Sequence, residues 1–163
     1  MRKELALALV VVLVSASLAM LVLPTVNAAT PSSAIRINGN ADLASQASAH
    51  GWRGDGSASN PYVISGLNIN GVSGNAIYLG NTTKYVTISG CTVSGTTYVS
   101  DNYNVGAGIE ISSASHVTIT GNTISGTAND GILVAYSSYN TISGNNIVMP
   151  VRRLWPGGRT VRE

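Results

Sequence analysis

From Tyr62 to Val148 the chain alternates apolar and small polar residues in very short runs, each closed by Gly, Asn or Ser. The run "VTISGCTVSG" at 86–95 returns as "VTITGNTISG" at 117–126 and as "NTISGNN" at 140–146. Alternation of period two predicts strands with one buried face. Taking Ile64, Ile88, Ile119 and Ile142 as equivalent gives spacings of 24, 31 and 23 residues. Each is followed two residues later by Gly66, Gly90, Gly121 or Gly144, and an apolar residue returns at Ile69, Val93, Ile124 and Ile147. A second run repeats as "AIYL" at 76–79, "GIEI" at 108–111 and "GILV" at 131–134. The longest spacing contains "TTYVSDNYNV" at 96–105, which reads as an inserted loop. A helical period is visible only over "ADLASQASA" at 41–49.

Strands this short cannot stand alone. If each unit makes one turn of a coil, equivalent strands pair in parallel at about 4.8 Å, and the rest of the coil supplies the crossover that parallel pairing needs. The expected hand is right. Ile77, Leu79, Val86, Ile88 and Val93 then point inward in one unit, and Ile109, Ile111, Val117, Ile119 and Ile124 in the next. The prediction is an all-β, right-handed, single-stranded parallel β-helix of about four coils. Gly90, Gly121 and Gly144 suit a repeated corner that a Cβ would hinder. Asn122 and Asn145 are placed to stack as a structural amide ladder, with Leu67 and Cys91 at the same corner in earlier coils.

Residues of about 34–147 resemble the parallel β-helix repeat family within the pectate-lyase-like superfold, and in particular the domains labelled NosD-like. The stretch "GWRGDGSASNPYVISGLNI" at 51–69 is similar to the opening of such domains, where a Gly-rich lead-in joins the first coil. The resemblance implies a secreted or surface setting. It also implies a carbohydrate-active enzyme as an alternative, since this superfold includes polysaccharide lyases and glycoside hydrolases. It specifies fold more closely than function.

Outside the repeats the composition changes. Arg2 and Lys3 precede an apolar run from Leu5 to Leu23, then Pro24 and "VNA", the order of an export signal with cleavage after Ala28. An uncleaved anchor is the alternative. The expected organisation is a signal segment over 1–28, a cap or lead-in over 30–61, repeats over 62–149 and a basic irregular tail over 150–163. Either treatment of the signal puts the repeats outside the cytoplasm, secreted or at the cell surface. Between Thr30 and Pro150 three cations oppose five carboxylates, a net of −2, so no basic stripe exists for nucleic acid. The lone Cys91 excludes an internal disulfide or a multi-thiolate metal site.

Catalytic chemistry of the lyase or hydrolase type needs grouped carboxylates, a basic residue, or both. Between Gly54 and Pro150 the only basic side chain is Lys84, and the carboxylates are Asp55, Asp101, Glu110 and Asp130. Glu110 is expected to point outward between Tyr78 and Leu133, and Asp130 to align with Ala107 and Asn75, so no two carboxylates stack. No catalytic residue is assigned, and no enzyme activity is expected. Asp101, Asn104 and Glu110 are a weak calcium candidate, having oxygen donors but no fixed calcium spacing. No other cofactor is expected, and His50, His116 and Cys91 do not group as copper ligands. The candidate glycan contacts are Tyr78, Tyr98, Tyr103 and Asn102, because aromatic faces beside polar donors suit sugar rings. The expected function is a carbohydrate-binding, adhesive or structural surface module whose partner is extracellular polysaccharide. The tail does not continue the repeat, so Ile142 and Ile147 are expected at an open edge, inviting end-to-end self-association.

Overall fold

The computed structural model describes residues 32–99 and 105–148, together with the backbone of two short strands at 153–154 and 160–161. The elements are β1 (Ile35–Asn38), α1 (Asn40–His50), β2 (Tyr62–Ser65), β3 (Asn68–Asn70), β4 (Ile77–Gly80), β5 (Val86–Ser89), β6 (Thr92–Ser94) and β7 (Ile109–Ser112). They continue with β8 (Val117–Thr120), β9 (Thr123–Ser125), β10 (Ile132–Ala135), β11 (Thr141–Ser143), β12 (Asn146–Val148), β13 (Arg153–Leu154) and β14 (Thr160–Val161). Three parallel sheets result, in the orders β1-β4-β7-β10, β2-β5-β8-β11 and β3-β6-β9-β12. Successive strands belong to different sheets, so the chain winds as a coil and each rung rests on the one before.

The register is the one the repeat predicts. Ile64, Ile88, Ile119 and Ile142 pair in file across one sheet, and Ile69, Val93, Ile124 and Ile147 across another. Ile77, Ile109 and Ile132 follow Ile35 in the third. One continuous core runs through these files, with Ile37, Ile64, Ile88, Ile109, Ile119 and Ile124 fully enclosed. Each buried isoleucine contributes about 1.5–3 kcal/mol. Strands of three or four residues therefore hold only as members of a stack.

Corners repeat with the rungs. Gly66, Gly90, Gly121 and Gly144 have φ of 67°, 60°, 63° and 61°, a left-handed conformation that glycine adopts without steric cost. A Cβ would meet no atom within 4 Å at the first three, so backbone conformation and not space selects glycine there. Beside this corner, Asn145 Oδ1 accepts from the Asn122 N–H at 3.0 Å and from Asn122 Nδ2 at 2.9 Å, while its own Nδ2 donates to Ile119 O at 2.9 Å. One coil earlier, Asn122 Oδ1 accepts from the Cys91 N–H at 2.9 Å and Nδ2 donates to Ile88 O at 3.0 Å. Each asparagine thus ties its own coil to the preceding one.

The two ends are built differently. At the first rung, α1 lays Leu43 and Ala47 over the core, both buried. It is pinned by Gln46 Nε2 donating to Arg36 O at 2.6 Å and by Asn40 Oδ1 accepting from Thr82 Oγ1 at 2.6 Å. Because β1 already pairs with β4, the first rung lies inside the stretch read as lead-in. At the other end β10, β11 and β12 are the outer strands, and Ile142 and Ile147 are 47% and 40% exposed. β13 and β14 pair antiparallel with each other and add no rung. The segment read as an export signal lies outside the described residues.

Candidate functional site

Outward positions of the first sheet form a column in register: Arg36, Tyr78, Glu110 and Leu133. Tyr78 and Glu110, expected to be exposed, are buried. They are only 3% and 4% exposed. The Tyr78 side chain lies back across Gly80, where any Cβ would collide with its hydroxyl. The Arg36 guanidinium sits 4.9 Å from the ring centroid, within reach of a cation–π attraction. Asn75, itself buried, donates from Nδ2 to Glu110 Oε2 and accepts on Oδ1 from the Ala107 N–H at 2.9 Å. Pointing away from the coil axis is not the same as reaching water, because neighbours in the column and the adjoining turn cover its middle members. Tyr78 is therefore closed to a glycan, and Glu110 is engaged by Asn75.

The inserted loop leaves from the end of β6 on a firm base. Thr96, buried, donates from Oγ1 to Gly106 O across the loop and accepts from the Ala128 N–H of the next coil at 3.0 Å. Thr97 makes a parallel bridge with Ser73 of the preceding coil. Tyr98 projects from this base with 62% of its surface exposed. Asp101, Asn102, Tyr103 and Asn104 lie outside the described residues, so Tyr103 and Asn102 of the expected glycan patch and two of the three expected calcium ligands do too. Among the described residues no three His, Cys, Asp or Glu side chains group as a metal site.

Other carboxylates serve turns. Asp42 accepts from the Asn38 N–H at 2.7 Å and from Gln46 at 3.0 Å. Asp55 accepts from the Ser57 N–H at 2.8 Å and from Asn60 Nδ2 at 3.2 Å. Hydrogen bonds from Ser57, first its side chain and then its backbone, hold the Asp55 carboxyl below its ordinary 3.8. Burial raises the Cys91 thiol, keeping it a core residue and a poor nucleophile.

One feature escaped the sequence reading. Tyr85, His116 and Tyr139 follow one another along the coil axis, Tyr85 tilted by 31° against His116 at 4.4 Å between centroids and His116 stacked on Tyr139 at 5.5 Å. Each stands three residues before an isoleucine of the same file, Ile88, Ile119 or Ile142, so the repeat alignment contains the signal. His50 stacks instead on Trp52 near the helical cap, in a separate place.

A family model described as "Right handed beta helix region" matches residues 33–149. No curated protein and no solved structure matches the chain. The chain belongs to the right-handed β-helix family.

Proposed function

We propose that this right-handed β-helix is an exported surface module that binds carbohydrate through its inserted loop and has no catalytic site of its own. The observation that carries the reading is Tyr98, an exposed aromatic ring on a rigid two-coil base. A ring fixed at its root loses little freedom when it stacks on the apolar face of a sugar. Tyr103, Asn102 and Asp101 follow within five residues and supply a second ring, an amide donor and a carboxylate acceptor. The apolar N-terminal run supports export. The structural engagement of Asp42, Asp55 and Glu110 favours binding over hydrolysis or elimination. Within the family the likeness is to NosD-like, pectate-lyase-like domains, which fits an extracellular polysaccharide partner.

The test is a glycan panel scored for both retention and product release, with and without calcium. Wild type should retain at least one polysaccharide without releasing products, and Tyr98→Ala with Tyr103→Ala should abolish retention without altering the far-UV spectrum. Product release would make the protein a carbohydrate-active enzyme instead. Retention unaffected by the two substitutions would move the site elsewhere.

A further inference from the structure

We propose that the aromatic row of Tyr85, His116 and Tyr139 ends in a second binding site, which takes a neutral pyranose ring on the open face of Tyr139. The row lies where the chain passes from the first sheet to the second, a different corner from the one that carries the inserted loop. His116 stacks on Tyr139 at 8° between ring planes, so one face of the tyrosine ring is covered by a ring. Tyr139 keeps 81% of its surface exposed, which leaves the opposite face to solvent. Tyr136, 94% exposed, stands at the start of the same turn. His116 Nδ1 is buried with no hydrogen-bond partner among the described residues, so ring contact and not hydrogen bonding holds that side of the imidazole.

The backbone holds rings where smaller residues would be held more easily. The residue after the first-sheet strand is Asn81, Ser113 and Tyr136 in successive coils, with φ of 53°, 51° and 50°. His116 and Tyr139 have φ of 63° and 57°. Glycine takes this left-handed region freely, bulky residues rarely do, and at the neighbouring corner the chain uses Gly121 and Gly144 for it. Two tyrosines so placed in the last coil, both turned to solvent, fit strain kept for a ligand. The turn is also fixed before anything binds. Ser137 Oγ accepts from the Ala114 N–H at 3.0 Å and donates to Ala135 O at 2.7 Å, and Asn140 Oδ1 accepts from the Val117 N–H at 2.9 Å. A ring carried on so pinned a turn loses little freedom on binding. Residues 131–148 carry no charged side chain, so nothing in the last coil selects an ionic ligand. Ser115 and Ser138, joined by a parallel bridge, put a hydroxyl-bearing residue directly before His116 and Tyr139. An apolar ring face beside uncharged hydrogen-bonding groups matches a pyranose, which is apolar across its ring and hydroxylated at its rim. One open ring face admits one such ring, so the ligand is a single sugar residue (free, or at the end of a glycan).

The experiment titrates the full chain with methyl pyranosides of glucose, galactose, mannose, xylose and N-acetylglucosamine, and separately with indole, following the ring protons of His116 and Tyr139 by NMR. At least one glycoside should shift both rings saturably at millimolar concentration. Tyr139→Ala should weaken that glycoside about tenfold, read at His116, and Tyr139→Trp should restore it. Both substitutions fall on an exposed side chain, so the far-UV spectrum should not change. The readout is local to the row, so an inserted loop that binds nothing would leave this result standing. The proposal is overturned if no glycoside shifts the two rings, if shifts appear only at Tyr98, or if Tyr139→Ala binds as the wild type does. Tyr139→Trp as weak as the alanine variant would overturn it too, by giving Tyr139 a purely structural part. Shifts from indole alone would reassign the face to an aromatic ligand and overturn the sugar.

Discussion

β8 and β11 carry nearly the same residues, "VTIT" against "TIS", in the same sheet and in register. Ile119 in the first is fully enclosed, while Ile142 in the second is about half exposed. The strand itself does not differ; the number of rungs above and below it does. Stability in this molecule is thus a property of neighbours, as expected where each repeat contacts only the next. The same comparison separates Asn122, buried and bonded to coils on both sides, from Asn145, part-exposed and reaching only backwards among the described residues.

The largest effect should come from truncating the two isoleucines. Ile119→Ala should cost about 2–5 kcal/mol and Ile142→Ala about 1 kcal/mol, the smaller area it hides, both read by denaturant unfolding. Equal costs would show that the last coil is as well packed as the interior.

Next come the asparagines. Asn122→Ala leaves the Cys91 N–H and the Ile88 carbonyl without their partner, at about 1–3 kcal/mol for each buried group. Asn145→Ala should cost less. Cys91→Asn should extend the ladder by one rung, since the Cys91 sulfur already lies 4.0 Å from Ile64 O, the counterpart of Ile88 O. A gain of about 0.5–1.5 kcal/mol is expected, and a loss would show that the first coil's corner differs from the later ones.

The smallest effect is acid sensitivity of the turn at 54–60. The folded carboxyl of Asp55 titrates below its ordinary 3.8, so its contribution is complete above that pH and fades as pH falls through the lower folded value. The group is fully exposed, so the change stays local. Loss of the Ser57 amide's protection in acid, absent in Asp55→Asn, is the readout by NMR.

The fold was legible because its two signals are local and repeated. Period-two alternation fixes which side chains enter the core, and a glycine two residues past each isoleucine fixes the register. The candidate site was only partly legible. Alternation places Tyr78 and Glu110 outside the coil but does not reveal Arg36 above the ring or Asn75 beside the carboxylate, because these contacts join residues 42 and 35 positions apart. The Tyr85–His116–Tyr139 stack stood in the alignment, three residues ahead of each isoleucine, but aromatic spacing has meaning only once the register is fixed. The loop at 96–105 has no repeat to align with, so only its residue types speak for it.

The most direct measurement is oxidative cross-linking of outward threonines that share a register position. Thr87 and Thr118 are partners on adjacent rungs, and Thr141 follows one rung later. With rungs about 4.8 Å apart, Thr87→Cys with Thr118→Cys falls within the Cα separation a disulfide needs, about 4.4–6.8 Å, and should close rapidly. Thr87→Cys with Thr141→Cys, about 10 Å apart, should not. Failure of the first pair, or equal closure of both, would contradict the stacked coil on which the site, the ladder and both ends depend.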